Sequence, residues 1–190
     1  MLKRNENVTM SMNYAEYIVN VKAEGKLLIQ KLLIILTFLI LLAAGTWAVC
    51  GGIVNMPPIE ILVIGACGIG FYFVFEKTRI EYEYVVASAM VEFDVIYGQR
   101  RRKNVLTVSL DDVERIAPVN TETLRYIESC KPVRSYDFCS SSKSQRRYFM
   151  FAMINGISTV IYFDAVSKTL DVLKFFRSNI VEIDSEIYDM

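Results

Sequence analysis

Tyr148 to Phe163 reads YFMFAMINGISTVIYF. Two apolar runs, Tyr148–Ile154 and Ile157–Phe163, flank Asn155-Gly156. Asn-Gly supplies positive φ at both central positions of a type I′ turn, so the stretch predicts a two-residue β-hairpin. Downstream the period changes. Val166, Leu170, Leu173, Phe176 and Ile180 recur at steps of three and four. That spacing predicts an amphipathic helix laid over one face or end of a sheet, capped by Asp164 or Ser167. Phe176→Asp is expected to unfold the domain, since an unpaired buried charge is costly. The acidic tail, residues 181–190, reads as loose.

Upstream of the hairpin the period is two. Ile80, Tyr82, Tyr84 and Val86 share one face of a strand, with Glu81 and Glu83 on the exposed face. Ala87-Ser88-Ala89 allows a turn. Val91, Phe93, Val95 and Tyr97 then alternate with Glu92 and Asp94. Gly98 and Arg100-Arg101-Arg102-Lys103 follow as a loop, and Leu106, Val108 and Leu110 mark a third strand. Ser109 or Asp111 is placed to cap a short helical turn from Val113 to Ile116, closed by Pro118. Thr121–Ile127 is a turn of helix or an irregular loop, and Val133–Phe138 is a candidate strand. Residues 79–180 therefore predict an α+β domain: a small antiparallel β barrel or strongly bent sheet with a C-terminal helix.

Leu32 to Val54 is a run of twenty-three residues without a charge, and Ile59 to Phe75 is a second apolar run carrying only Glu60. At about 1.5 Å per residue the first is about 35 Å long, enough to span a hydrocarbon core of about 30 Å with some tilt. Residues 31–76 thus predict a two-helix transmembrane hairpin, with Pro57 and Pro58 in the first turn of the second helix. Lys3, Arg4, Lys22, Lys26 and Lys31 precede it, Lys77 and Arg79 follow it, and the connection has neither Lys nor Arg. The positive-inside rule then predicts a multi-pass protein of the plasma membrane with both termini cytoplasmic. Gly51/Gly52 and Gly65/Gly68 suit packing of the hairpin on itself. Tyr14, Tyr17, Ile18 and Val21 at helical spacing predict an amphipathic juxtamembrane helix over residues 13–30, lying on the leaflet or docked on the domain. Residues 1–12 read as disordered.

The paired strands Ile80–Val86 and Met90–Tyr97, the basic turn Arg100–Lys103 and the segment Val105–Ile116 ending Leu110, Val113, Ile116 precede the final hairpin and helix. In this order they make the chain resemble the bacterial pleckstrin-homology-like domains, which often follow one or two membrane helices. The whole layout also resembles a group of small bacterial membrane proteins. The resemblance covers most of residues 14–180 and brings no catalytic motif. It implies a PH-like fold for the cytoplasmic domain.

Lys+Arg and Asp+Glu number 21 each and histidine is absent. Without histidine the serines at 140–142 and 144 have no triad partner. Cys130 and Cys139 form no CxxC pair, so no metal site and no cofactor is expected. Glu81/Glu83 and Asp111/Asp112/Glu114 read as solvated carboxylates rather than acid–base pairs. The domain is not strongly basic, which argues against nucleic acid. Arg100, Arg101, Arg102 and Lys103 are the contact candidates, with Arg146 and Arg147, and Lys131 and Arg134, able to join them. Anionic lipid headgroups or a protein are the candidate partners, each basic residue near a membrane surface adding about 1 kcal/mol. The expected function is a non-catalytic, membrane-anchored interaction module. The alternative is an accessory or assembly subunit of a larger membrane complex.

Overall fold

The computed structural model describes residues 13–22, 24–50, 57–76 and 78–184. The expected disorder of residues 1–12 and the end of the acidic tail lie outside the described residues, as do Gly51 and Gly52. The chain forms two compact units. One holds Glu81–Ile96 with the described residues of 1–21 and 102–190; the other holds those of 22–80 with Tyr97–Arg101.

The helical unit contains α1 (Gly25–Cys50) and α2 (Pro57–Glu76). Within α1, Leu27–Ala48 spans 22 residues with none of the stretch buried, long and apolar enough to cross a membrane by length and composition. The apolar stretch described in α2, Ile64–Glu76, is shorter, about 20 Å. The helices meet where Phe38 of α1 packs on Phe71 of α2 with centroids 4.6 Å apart, and within α2 Phe71 stacks on Phe75 at 5.4 Å. Gly65 and Gly68 do not serve this contact. A Cβ added at either meets nothing within 4 Å, so the expected use of these glycines in packing the hairpin on itself is not what holds it.

The other unit is built on two four-stranded sheets. The first has the order β1-β2-β3-β4, from β1 (Tyr14–Asn20), β2 (Ile80–Ala87), β3 (Met90–Tyr97) and β4 (Arg101–Ser109). The second has the order β5-β7-β8-β6, from β5 (Val113–Pro118), β6 (Arg134–Asp137), β7 (Arg147–Ile154) and β8 (Ile157–Asp164). Helix α3 (Thr121–Cys130) precedes β6, and α4 (Ser167–Phe176) follows β8. No ladder joins the sheets among the described residues, so the barrel is not closed. The short β6 pairs in parallel with β8 and ends the second sheet as an edge.

The hairpin forms as its residues dictate. Asn155 (φ 51°) and Gly156 (φ 75°) make the turn, and β7 and β8 pair from Ile154↔Ile157 to Arg147↔Asp164. This sheet is covered on both faces, which explains its continuous apolar runs. Phe149, Phe151 and Val160 pack with Ile127 of α3. On the other face Phe163 meets Tyr84 and Phe93 of the first sheet at 6.0 and 6.1 Å, and Phe138 stacks on Phe93 at 4.9 Å. Tyr84 is 1 % exposed. Its hydroxyl donates to the Phe138 carbonyl and accepts from the Asp164 amide at 3.4 Å, tying the first sheet to the end of β8 and to the residue that follows β6.

Several expectations are corrected. Residues 14–20 form a strand, not a helix: β1 pairs along β2 from Tyr14↔Ala87 to Asn20↔Glu81, and Ala15 and Val19 alternate into the core. Cross-strand hydrogen bonds outweigh the helical spacing, and helix begins only at Gly25. Residues 101–103 are the start of β4 rather than a loop. Ser109 caps a 3-10 turn at Leu110–Asp112, accepting from the Asp111 amide at 3.3 Å, and Val113–Pro118 is strand. Helix α4 starts at an N-cap Val166 with no side-chain cap, so neither Asp164 nor Ser167 has that role. Its buried residues are Thr169, Leu170, Val172 and Leu173; Phe176 is only half-buried, so Leu173 is the better core probe. The described start of the tail is docked: Val181 bridges Ile116, and Glu182 takes a bidentate ion pair from Arg115 at 2.8 and 3.0 Å, while residues 185–190 lie outside the described residues.

Candidate functional site

The turn between β3 and β4 is held by its own backbone and by the end of α2. Gly98 and Gln99 both have positive φ, 58° and 57°. Gly98 donates to the Arg79 carbonyl at 2.8 Å, and a Cβ there would stand 3.2 Å from the Glu76 carbonyl oxygen. A Cβ would stand tighter against this backbone than is usual, and the positive φ adds strain to any side chain, so the position favours glycine. Arg100 lies 3.7 Å from the Glu76 carboxylate. Arg100 thus stands beside the last turn of α2, and Arg101 follows it in the chain.

The remaining candidates divide. Lys103 is exposed on β4, and neither it nor Arg101 makes an ion pair among the described residues. Arg102 turns to carboxylates: its Nε donates to Asp94 Oδ2 at 2.6 Å, and its Nη2 approaches Glu83 Oε2 at 2.7 Å, an ion pair without hydrogen-bond alignment. Arg147 donates to Asp137 Oδ2 at 2.8 Å and lies over the Tyr162 ring, 4.6 Å from its centroid. It is a fixed part of the second sheet. Arg146 precedes it at half-buried depth without an ion pair among the described residues. Lys131 ends α3 in the left-handed region at φ 45°, and Arg134 opens β6. Arg102 and Lys103 therefore belong to one sheet and Arg147 to the other, with Arg146 just before its strand.

One group escaped the sequence reading. Glu81 and Glu83 were expected on the exposed face of a strand, yet they are 6 % and 3 % exposed. β1 lies beside them in the sheet, with Ile18 opposite Glu83 and Asn20 opposite Glu81. Tyr14 donates to Glu16 Oε2 at 2.6 Å, and Asn104 donates to Asp94 Oδ1 at 2.8 Å. Burial first, then the Glu16 carboxyl, pushes the Glu83 carboxyl up to about 7. The Tyr14 bond holds Glu16 below its ordinary value, and the same bond drives Tyr14 up to about 12. Only placing β1 as a strand would have revealed this cluster.

Cys139 is buried, and burial raises its thiol well above the ordinary range, which makes it an unreactive packing residue. Asp164 Oδ2 accepts from the Ser140 amide at 2.8 Å, while buried Oδ1 has no hydrogen-bond partner. Among the described residues no three His, Cys, Asp or Glu side chains gather to hold a metal. No curated protein and no solved structure matches the chain significantly. The family model for the bacterial PH-like domain (DUF6106) matches residues 11–182, taking in β1, both long helices and all of the two sheets. With nearly the whole sequence inside that match, the chain belongs to the bacterial PH-like domain (DUF6106) family.

Proposed function

We propose that this chain is a membrane-anchored, non-catalytic interaction module whose PH-like domain recognises an anionic membrane surface or a protein held there. The carrying observation is the junction of α2 with the β3–β4 turn. The close approach at Gly98 brings the turn that carries Arg100 to the end of an apolar helix, where the charge of a lipid surface is felt. The free slope of α1 over Leu27–Ala48 supports the anchor. Helix α2, at 20 residues, rises about 30 Å, which supports a second span. The excess of Lys and Arg outside the hairpin supports a cytoplasmic domain with both termini on that side. PH-like domains are interaction modules, and the carboxylates described above are engaged in sheet structure, which supports binding without chemistry.

The test reconstitutes the full chain in nanodiscs and measures recruitment of vesicles with and without anionic lipid. Recruitment that rises with anionic lipid and falls with salt supports lipid contact; recruitment indifferent to both refutes that branch. The accessory-subunit reading rests on a separate observation. Gly65, Gly68 and Gly70 leave open space on α2, where a further helix can approach closely. Cross-linking in native membranes that yields only monomer counts against it.

A further inference from the structure

The edge of a sheet is a row of unpaired backbone N–H and C=O groups, which folded proteins cover, shorten or charge. Three of the four edges here are occupied, short or packed. The outer side of β5 is taken by residues 180–182: the Ile116 amide donates to the Ile180 carbonyl at 2.7 Å, and the Glu182 amide donates to the Ile116 carbonyl at 2.8 Å. β6 is only four residues long. β1 has α4 against it. The fourth edge is β4, nine residues from Arg101 to Ser109, with no strand beyond it among the described residues. Its residues 101–105 are all exposed, Val105 at 39 %. No described element covers this half of the strand.

The charge along β4 selects what fits this edge. Arg101 and Lys103 stand at its start, exposed and without an ion pair among the described residues. Asp111 and Asp112 stand in the 3-10 turn that follows its end; Asp111 pairs with Arg177, while Asp112 is exposed and has no ion pair among the described residues. The edge is therefore basic at one end and acidic at the other. A parallel partner carrying the same charges would set like beside like, which is destabilising. An antiparallel one brings the basic end of each strand toward the acidic end of the other. We propose that β4 pairs antiparallel with β4 of a second copy of this chain, joining two four-stranded sheets into one about a two-fold axis. Val105 is the midpoint of the strand, so an axis at Val105 is the register that pairs all nine residues. It sets Val105 opposite itself, Lys103 opposite Thr107, and Arg101 opposite Ser109, the residue before the acidic turn. The pairing uses backbone groups and does not depend on the lipid contact proposed above.

The test is oxidative cross-linking of the full chain in native membranes, with the wild-type cysteines as background. Residues opposite one another in an antiparallel pair have Cα atoms about 4.5–5.5 Å apart, within disulfide reach. Val105→Cys is expected to give a covalent dimer several-fold above the wild-type background. Lys103→Cys alone is expected to stay at background, because its two copies are offset by about 13 Å along the strands. Lys103→Cys mixed with Thr107→Cys restores the dimer. A Val105→Cys yield no higher than background overturns the proposal. So does a Lys103→Cys yield equal to that of Val105→Cys, the mark of parallel pairing or random collision. Energy transfer between full chains carrying donor and acceptor fluorescent tags in liposomes stands independently of whether these variants fold. Transfer that survives dilution with excess lipid is expected, and transfer that vanishes on dilution overturns the pair.

Discussion

Replacing Tyr84 by phenylalanine removes one oxygen from the seam between the two sheets and leaves the packing volume nearly intact. The ring stays between Phe93 and Phe163, with centroids 5.7 and 6.0 Å away. What disappears is the donor to the Phe138 carbonyl and the acceptor for the Asp164 amide. The first is a close bond in a buried setting, since Phe138 is 4 % exposed. The second, at 3.4 Å, is long and contributes little. A lost hydrogen bond is worth about 1 kcal/mol net, and a buried carbonyl left unpaired raises the cost to about 1–3 kcal/mol. We expect Tyr84→Phe to lower stability by about 2 kcal/mol. Tyr84→Ala, which also empties the ring's site, should cost about 3–5 kcal/mol. Denaturant unfolding of the full chain in detergent, followed by tyrosine fluorescence or near-ultraviolet circular dichroism, measures both. A phenylalanine variant as stable as wild type would refute the seam role of the hydroxyl.

The remaining predictions follow from single positions. Ser88 and Ala89 form the β2–β3 turn with φ of 51° and 60°, so Ala89→Gly should stabilise by about 1 kcal/mol in the same unfolding assay. Leu173 is fully buried in α4, and Leu173→Ala should cost about 2–5 kcal/mol, more than Phe176→Ala, as read by the shift in unfolding midpoint. Because the fold raises Glu83 from 4.5 to about 7, its stabilising protonation is complete below 4.5 and is lost as pH climbs through 7. Glu16 is lowered, so its contribution is present above its ordinary value and lost as acid protonates it; stability measured against pH should therefore pass through a maximum in mild acid, and Glu83→Gln should flatten the alkaline side. Arg101→Ala or Lys103→Ala should weaken recruitment of anionic vesicles by about 1 kcal/mol each without altering the unfolding midpoint, whereas Arg147→Ala, which loses Asp137 and the Tyr162 face, should lower the midpoint.

The elements governed by local chemistry were legible. Asn155-Gly156 fixed the last hairpin, since few residue pairs accept positive φ twice, and the uncharged stretch of α1 from Leu32 onward needed no tertiary information. The helical spacing of Leu170 and Leu173 gave α4, although its N-cap carries no side-chain signal. What the sequence concealed depends on partners distant in the chain. Residues 14–20 become a strand only because β2, more than sixty residues away, offers them a ladder. The same pairing sets Ile18 beside Glu83, and a carboxylate that reads as solvent-facing in its own strand is buried. Arg102 illustrates the converse: four adjacent basic residues look equivalent, yet alternation along β4 turns one of them onto Glu83 and Asp94. The closed barrel failed for a similar reason. Strand β6 is too short and too isolated in sequence to announce that it pairs in parallel with β8.

The central claim concerns placement, and a single labelling experiment tests it. Ser142 is exposed on the loop before β7, so Ser142→Cys provides a reporter on the PH-like domain, read against Ser142 wild type as background. With a membrane-impermeant maleimide, the account predicts modification in inside-out vesicles, none in intact cells, and retention of the chain in the membrane pellet after alkaline washing. Modification in intact cells, or release of the chain into the wash, would contradict it.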